Sequence, residues 1–269
     1  MAESQTTSLL AGKTIWLTGA SSGIGLALAR ELAPLGCRLI LTARRAQVLE
    51  EVRASLANAE QHLCLPLDLS QPEQSAVAAA AWLAEHQLSV DILINNAGVS
   101  QRSKVLDTDL SVYRQLMEID YFAVVALTKL VLPAMVERQQ GQIVTVSSVA
   151  GKIGTKLRSG YAGAKYGVLG FMDSLRAEVS DSGVVCTSLL PGFINTPVAH
   201  NSLTGDGSAL GTADPDNAGG MSAEACARAM VKAITAQRDE VVIGEGLSKL
   251  APLIQRLSPA LVRRMMAKR

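Results

Sequence analysis

Three side chains in the middle of the chain have the types and spacing needed for acid–base chemistry. Tyr161 and Lys165 are four residues apart in a segment with a helical pattern, so both side chains project from one face. A free phenol has a pKa near 10, and a neighbouring ammonium stabilises its phenolate form. Tyr161 could therefore protonate a carbonyl during reduction and deprotonate an alcohol during oxidation. Ser148 follows a predicted strand and could hydrogen-bond the same oxygen. The structural alternative is a simple surface pair of Tyr161 and Lys165.

A glycine-rich turn lies near the start of the chain. The sequence TGASSGIG, at Thr18–Gly25, directly follows a predicted strand and opens a predicted helix. Gly19 allows a sharp turn, Gly23 lets the backbone approach a pyrophosphate, and Gly25 allows the helix to pack closely on the sheet. The helix N-terminus offers free N–H groups and a positive dipole end to phosphate. This context predicts a dinucleotide site rather than a purely structural turn.

The residues after the second predicted strand bear on which nicotinamide cofactor binds. A free ribose 2′-hydroxyl is usually held by an acidic residue at this point. This chain has Ala43-Arg44-Arg45 instead. A guanidinium pairs bidentately with phosphate, so Arg44, helped by Arg45 and Ser21, favours NADP(H) over NAD(H). The alternative is that Arg44 only solvates the start of a helix.

Short apolar runs alternate with longer helical patterns. The runs are rich in Leu, Ile, Val and Thr without polar alternation, which is typical of parallel strands buried on both faces. The predicted strands are Thr14–Thr18, Arg38–Thr42, Cys64–Asp68, Ile92–Asn95, Gln142–Ser147, Val184–Leu190 and Glu240–Ile243. The predicted helices are about Gly25–Leu35, Ala46–Leu56, Pro72–His86, Ser111–Gln139, Tyr161–Ser182 and Ser222–Ala236. The alternation predicts an α/β fold, a doubly wound parallel sheet in one domain over residues 1–269.

The composition supports this fold and excludes several function classes. Hydrophobic residues make up 48% of the 269 residues and charged residues 18%, which excludes a disordered chain. Aromatic residues make up only 3%, which disfavours an aromatic platform for nucleic acid. The net charge of +1 gives no overall case for a polyanionic partner. The four cysteines contain no CxxC pair, which predicts free thiols. The three histidines are dispersed along the chain, which predicts no metal site. We find no signal-peptide pattern and no apolar run of about 18 residues, and expect a soluble, cytoplasmic protein.

Taken together, the motifs resemble those of the single-domain short-chain dehydrogenases/reductases. After TGASSGIG come Asp68-Leu69, Asn95-Asn96-Ala97-Gly98, Ser148 with Tyr161-x-x-x-Lys165 thirteen residues later, and Pro191-Gly192 with Thr196. The resemblance covers about residues 12–245. The stretches MEIDYFAVVALTKLVLPAM and RSGYAGAKYGVLGFMDSLRAE are most similar to the branch of membrane-associated hydroxysteroid- and retinol-type reductases. We expect no N-terminal anchor like that of many members of this branch.

The resemblance implies a Rossmann-like sheet of seven strands in the order 3-2-1-4-5-6-7 and a set of residue roles. Ser148, Tyr161 and Lys165 would form the catalytic triad. Asp68 and Leu69 would flank the adenine, and Pro191, Gly192 and Thr196 would hold the nicotinamide. The full cofactor-binding set would be Gly19, Ser21, Ser22, Gly23, Ile24, Gly25, Arg44, Arg45, Asp68, Leu69, Asn95, Ala97, Gly98, Tyr161, Lys165, Pro191, Gly192, Ile194 and Thr196.

One position departs from the family pattern. The family usually has an asparagine on the long fourth connecting helix, where its main chain holds a water that links the lysine to solvent. This chain has Asp120. The main-chain role does not depend on whether this residue is asparagine or aspartate. The carboxylate, however, would offset the charge of Lys165 and oppose formation of the tyrosinate. Alternatively, it would accept a proton in the relay. We count Asp120 among the catalytic residues and expect it to permit activity but shift its pH dependence.

Two segments without motifs are predicted to shape the substrate end. Residues 198–222 contain five glycines and no clear period, which favours a substrate lid over a solvated loop. Residues 246–269 carry six basic residues and no acidic one, and Pro252 and Pro259 are expected to divide them into short helices. This segment could pack on the domain or a neighbouring subunit, touch an anionic membrane surface, or wall the substrate pocket.

The sequence therefore predicts an NADP(H)-dependent oxidoreductase that transfers a hydride between nicotinamide and a carbonyl or alcohol. The apolar lining suggests a steroid-, retinoid- or acyl-like substrate. A non-catalytic NADP-binding sensor or scaffold is the alternative, and Asp120 is the one feature for it. A sugar-nucleotide epimerase or dehydratase would usually need a larger C-terminal domain. In similar proteins, the oligomer interfaces are formed by the helices that correspond to Ser111–Gln139 and Tyr161–Ser182. The resemblance therefore implies a homodimer or homotetramer.

Overall fold

A seven-stranded parallel sheet organises the computed structural model, which describes residues 9–196, 200–212 and 219–268. Its strands are β1 (Thr14–Thr18), β2 (Arg38–Thr42), β3 (Leu63–Cys64), β4 (Ile92–Asn95), β5 (Gly141–Val146), β6 (Val184–Pro191) and β9 (Glu240–Ile243). They lie in the order β3-β2-β1-β4-β5-β6-β9, which confirms the predicted arrangement with β9 as the seventh strand. Two further short strands, β7 (Ile194–Asn195) and β8 (Met221–Ser222), pair with each other.

Helices cover both faces of the sheet. They are α1 (Gly23–Leu32), α2 (Ala46–Ser55), α3 (Pro72–Glu85), α4 (Leu110–Met117), α5 (Ala123–Glu137), α6 (Ser159–Glu178), α7 (Ala223–Thr235), α8 (Gly246–Leu257) and α9 (Pro259–Lys268). Successive side chains of a strand point to opposite faces, so Ile15 and Leu17 of β1 join the core beneath α1 and α7. Trp16 joins the opposite core, which includes α3, α5 and α6. All three side chains are fully buried.

Strand β3 is shorter than predicted, and a buried histidine lies at its start. The ladder with β2 covers only Leu63 and Cys64, although the backbone N–H of Leu65 still donates to Leu41 O at 2.9 Å. Just before the strand, Nδ1 of His62 accepts the backbone N–H of Leu39 at 3.2 Å. Burial lowers the pKa of His62, which favours the neutral ring that this acceptor role requires. The side chain therefore satisfies a backbone donor of β2 just before the ladder between β2 and β3 begins.

The helix predicted at Ser111–Gln139 is interrupted. A π-helical turn at Glu118–Phe122 separates α4 from α5, and the N–H of Ala123 donates to the carbonyl of Glu118 five residues back. The combined stretch Leu110–Glu137 is long and apolar enough to cross a membrane by length and composition. Its buried side chains, such as Leu127 and Met135, pack in the core on the sheet. These contacts are those of a central helix in an α/β fold.

The prediction that Pro252 ends a helix is wrong. Helix α8 continues through Pro252, and only Pro259 begins a new helix. An internal proline removes one helical hydrogen bond. Here the helix is held by packing, because Ala251 and Val262 are buried against Ile153. The C-terminal segment therefore lies on the residues that follow β5.

Candidate active site

One cavity of about 700 Å³ runs along the carboxyl ends of the central strands. Ligands of open parallel sheets bind at this edge. The predicted residues that line it are Gly19, Ser21, Ser22, Ile24, Gly25, Arg44, Arg45, Asp68, Leu69, Ala97, Gly98, Ser148, Tyr161, Lys165, Pro191, Gly192, Ile194 and Thr196. Three predicted residues, Gly23, Asn95 and Asp120, are not part of this lining.

The glycine turn is pressed against the end of β4. A Cβ atom on Gly19, whose φ is +69°, would lie 2.8 Å from the Cα of Ala97, and one on Gly25 would collide with the carbonyl oxygen of Gly19. Nδ2 of Asn96 donates to the carbonyl of Thr18 at 2.9 Å, and Thr18 Oγ1 accepts the N–H groups of Asn96 and Ala97, both at 3.0 Å. Backbone shape and these bonds together fix the turn Thr18–Gly25, which we call the glycine cradle. Asn96 was part of the predicted motif, but the sequence did not predict that its side chain holds the glycine turn against the end of β4.

Two predicted cofactor residues support the site from outside the cavity. The Asn95 side chain points into the core, where its Nδ2 donates to Thr128 Oγ1 on α5 at 3.3 Å. Gly23 has a φ of +54° and turns the backbone into α1. Ser22, the N-cap of α1, makes no capping hydrogen bond with its side chain. The first N–H groups of α1 are thus left without a side-chain cap beside the cavity.

The outer end of the cavity is basic. Arg44 and Arg45 are both exposed and line it, and neither forms an ion pair with another described residue. Asp68 lies nearby, and its Oδ1 accepts the backbone N–H of Ser70 at 3.1 Å and its hydroxyl at 2.8 Å. The two guanidinium groups are therefore available to an anionic ligand at this end.

Helix α6 brings the phenol and the ammonium together, as the spacing predicted. Nζ of Lys165 lies 5.7 Å from the centre of the Tyr161 ring. The lysine side chain is almost fully buried, and its Nζ donates to the carbonyl of Val146 at 3.1 Å. Ser147 Oγ donates to the carbonyl of Lys165 at 3.0 Å, which ties the helix to the end of β5. The position of the ammonium is thus set by the strand rather than by solvent.

Ser148 lines the same cavity. Its hydroxyl accepts the N–H of Ala150 at 3.1 Å, because it caps the short 3₁₀ turn Val149–Gly151. The hydroxyl donates to the carbonyl of Pro191 at 3.3 Å, which is long for an O–H donor. A substrate oxygen could replace this weak acceptor.

Asp120 lies behind the cavity, in the π-helical turn. It is fully buried; its Oδ1 accepts the N–H of Val99 at 2.9 Å and lies 3.8 Å from Nζ of Lys165. Burial raises the pKa of Asp120 to about 6, although Lys165 and the Val99 N–H act in the opposite direction. Its Oδ2 has no hydrogen-bond partner among the described residues. Gly98 leaves room for this contact, since a Cβ there would lie 2.7 Å from Oδ1 and 3.2 Å from Nζ.

A buried glutamine that no motif contained holds the start of α6. Oε1 of Gln101 accepts the N–H groups of Gly160 at 2.7 Å and Tyr161 at 3.4 Å. Its Nε2 donates to Ser103 Oγ at 3.1 Å and Thr108 Oγ1 at 3.2 Å. The amide therefore caps the helix that carries the phenol. An isolated glutamine in a loop gives no sequence signal of such a role.

The two segments without motifs form another part of the cavity wall. Leu203 forms a parallel bridge to Gln101 and an antiparallel bridge to Ala209, so this part of the predicted lid is hydrogen-bonded to the loop after β4. Residues 197–199 and 213–218 lie outside the described residues. The lining here comes from Asn201, Leu203, Gly207 and Ala209, and from Leu247, Ser248, Ala251 and Met266 of the C-terminal segment.

Comparison with known proteins gives the family of this chain. Residues 13–206 match the sequence model of the family described as short chain dehydrogenase. The chain belongs to the short-chain dehydrogenase/reductase family. This confirms the family predicted from the motifs, in its retinol-type branch. A similar protein is the "Dehydrogenase/reductase SDR family member 7B" of Mus musculus, 39% identical over 265 residues, which cover 97% of this chain and 82% of that protein.

Solved structures of the family have the same fold. A short-chain dehydrogenase from Streptomyces avermitilis has a TM-score of 0.79 and 25% identity, with 96% of both chains covered. A short-chain dehydrogenase from Sphingobium yanoikuyae in complex with NADPH has a TM-score of 0.76 and 25% identity, with 95% of both chains covered. The fold is one that binds a nicotinamide cofactor, and the features of this cavity fit such a group: the tight glycine cradle, the N–H groups at the start of α1 and the exposed guanidiniums.

Proposed function

We propose that this protein is an NADP(H)-dependent oxidoreductase that interconverts a carbonyl and an alcohol on an apolar small molecule. The observation that carries the proposal is the convergence of Ser148, Tyr161 and Lys165 on the cavity that also contains the glycine cradle. A structural role for three polar side chains would not require them to face one ligand-sized space.

The mechanism follows from what each side chain can do. A bound nicotinamide supplies or accepts the hydride. The Ser148 hydroxyl exchanges its long bond to Pro191 for one to the substrate oxygen and stabilises the charge that develops there. Tyr161 donates its proton to that oxygen during reduction and takes it back during oxidation. The buried ammonium of Lys165, held by Val146, stabilises the phenolate that remains.

The preference for NADP(H) rests on Arg44 and Arg45. Both guanidiniums line the outer end of the cavity without an acidic partner among the described residues. An arginine pairs well with a ribose 2′-phosphate, whereas a free 2′-hydroxyl is usually held by a carboxylate.

The preference for an apolar substrate rests on the other end. Leu203 and Ala209 of the lid segment and Leu247, Ala251 and Met266 of the C-terminal helices line the cavity there. Apolar walls favour a ligand that buries hydrocarbon surface. A steroid-, retinoid- or acyl-like carbonyl compound has this character.

A non-catalytic nucleotide sensor remains the second candidate, and Asp120 favours it. Its carboxylate lies 3.8 Å from the ammonium that should stabilise the phenolate. An ionised Asp120 would oppose that stabilisation. A sensor would bind NADPH without consuming it.

The decisive experiment is to follow oxidation of NADPH and NADH with a panel of water-soluble and apolar aldehydes and ketones. We expect turnover with NADPH, and a loss of ~10²–10⁴-fold in kcat for Tyr161→Phe, because general acid–base catalysis contributes about this much. Calorimetry should show that Tyr161→Phe still binds NADPH. Binding without turnover of any carbonyl would favour the sensor, and no NADPH binding would contradict both candidates.

A further inference from the structure

A second cavity, of about 340 Å³, lies between the loop that follows β5 and the helices α8 and α9. Residues 153–156 line it on the side of the loop, and Gln255 of α8 and Arg263 of α9 line it on the side of the helices. Ile153, Thr155 and Met266 line both this cavity and the main one. The two cavities therefore adjoin, and a molecule in the main cavity could extend one end into the smaller one, which we call the side pocket.

The side pocket contains polar groups that the fold leaves without a partner. Oγ1 of Thr155 and Oε1 of Gln255 are buried and form no hydrogen bond with another described residue. They are two of the four such side-chain atoms among the described residues, and both belong to residues that line this small cavity. A buried polar atom without a partner is costly, so such atoms are usually satisfied by water or by a ligand. Two of them in one cavity indicate a binding site.

The charges of the side pocket identify the kind of group that it binds. Lys156 and Arg263 line it and are exposed, and neither forms an ion pair with another described residue. Residues 138–172 and 246–269, which include both walls, contain no acidic residue. An ammonium and a guanidinium beside a hydroxyl form a set of donors that suits a carboxylate. A half-turn of the Gln255 amide would add Nε2 to this set, in the place of Oε1.

We propose that the side pocket holds the anionic end of an amphipathic substrate, so that the enzyme acts on carbonyl compounds or alcohols whose hydrocarbon chain ends in a carboxylate. Arg263, Lys156 and the Thr155 hydroxyl bind the carboxylate. Ile153 and Met266, which belong to both cavities, contact the hydrocarbon that joins the two ends of the molecule. The assignment of the reacting end rests on the proposed function, whereas the assignment of the charged end rests on the side pocket alone.

The first test compares NADPH-dependent reduction of ω-oxo fatty acids of increasing chain length with that of their methyl esters. The ester keeps the aldehyde and the chain but removes the charge. For chains long enough to reach the side pocket, we expect kcat/KM to be about tenfold higher for the acid than for the ester. Arg263→Gln should abolish this preference. Arg264→Gln is the matched control, because it removes the same charge from the next residue of α9, which is exposed and lines neither cavity.

The second test does not depend on turnover. A medium-chain fatty acid without an aldehyde cannot be reduced, and calorimetry measures its binding to the protein in the presence of NADPH. We expect its affinity to fall about tenfold in Arg263→Gln and to fall in Thr155→Val, which replaces the buried hydroxyl by a methyl group. Arg264→Gln should bind the fatty acid as the wild type does.

The possible outcomes separate this proposal from the proposed function. Equal kcat/KM for acid and ester at every chain length, or equal fatty acid affinity in the wild type and Arg263→Gln, would overturn the assignment of the side pocket. Reduction of the esters without any preference for the acids would leave the proposed function in place. Conversely, fatty acid binding that depends on Arg263, without reduction of any carbonyl, would support the side pocket and contradict the proposed reaction.

Discussion

The two ends of the cavity are specified in different ways. At the cofactor end, backbone shape decides: Gly25 lies where a Cβ would strike Gly19, and Asn96 locks the turn to β4 by bonds to Thr18. At the substrate end, side chains from distant segments decide, such as Leu203 from the lid and Leu247 from α8. The glycine turn leaves no room for a Cβ at Gly19 or Gly25, whereas the other wall is formed by side chains from segments outside the sheet.

This difference explains how one fold can keep its cofactor and change its substrate. The cradle is part of the first βα unit and is held by hydrogen bonds within the sheet edge. The other wall lies on a loop that packs on Val112 and Leu116, and on two helices whose buried side chains pack on Ile153. Gln101 connects the two ends, because it caps α6 and also bridges to Leu203. Four substitutions test this comparison, starting with the largest effect.

Gly25→Ala should break the cofactor end. Its Cβ would meet the carbonyl oxygen of Gly19 and lie 2.6 Å from Nδ2 of Asn96, so the turn must open. Such overpacking costs ~1–3 kcal/mol, and we expect NADPH affinity to fall ~10–100-fold by calorimetry. Gly170→Ala is the control, because a Cβ at Gly170 on α6 meets nothing within 4 Å. That variant should be stabilised by ~0.5–1 kcal/mol. Unchanged NADPH affinity in Gly25→Ala would mean that the cradle adjusts freely.

Gln101→Leu should weaken the connection between the ends. It leaves the N–H groups of Gly160 and Tyr161 without their acceptor, a loss of ~1–3 kcal/mol. We expect kcat to fall ~10–100-fold while the dissociation constant of NADPH stays the same. Gln101→Glu retains an oxygen acceptor at the helix N-terminus and should restore much of the activity. Equal loss of activity and NADPH affinity in Gln101→Leu would point to general unfolding instead of misplacement of Tyr161.

Arg44→Ala should have a smaller and cofactor-specific effect. Charge-assisted hydrogen bonds to phosphate contribute ~1.5–3 kcal/mol, and exposure of Arg44 to solvent reduces this. We expect KM for NADPH to rise about tenfold while KM for NADH hardly changes. Steady-state kinetics with both cofactors measures the difference. A matching rise for both cofactors would remove the argument for a 2′-phosphate at this position.

The sequence predicted the sheet and the tight glycine turn after β1, because their signals are local. Buried parallel strands appear as apolar runs, and a glycine turn needs particular residues at fixed positions. The motif could not show that the Asn95 side chain points to Thr128 and away from the cavity, since that depends on the face on which the strand ends. The contribution of Gln101 was also hidden, because its partners Gly160 and Tyr161 are about 60 residues away.

The C-terminal segment and the region of α4 and α5 also have features that the sequence could not predict. Pro252 argued for a helix break, but packing of Ala251 on Ile153 outweighs the single hydrogen bond that a proline removes. The π-helical turn at Glu118–Phe122 had no sequence signal either. Both features depend on contacts between distant parts of the chain, and the turn determines where Asp120 lies.

Asp120→Asn should have the smallest effect on rate and the clearest effect on pH dependence. The pKa of about 6 means that Asp120 is largely neutral below pH 6 and ionised above it. Only the ionised form opposes the tyrosinate, so wild type and variant should match at low pH and diverge above pH 6. In the direction of alcohol oxidation, the rising limb of the variant should shift to lower pH by on the order of half a unit to one unit. Superimposable pH–rate profiles would exclude an electrostatic role for Asp120.

Unfolding provides an independent measure of the same group. The folded state raises the pKa of Asp120 from 3.8 to about 6, so it binds the proton more tightly than the unfolded chain. Wild-type stability should therefore fall, relative to Asp120→Asn, as the pH rises from 4 to 7, by on the order of 2–3 kcal/mol. The asparagine can still accept the Val99 N–H, so the variant retains that bond. Parallel stability curves in urea across this range would show that folding leaves the pKa of Asp120 unchanged, so that the interaction with Lys165 fully offsets the effect of burial.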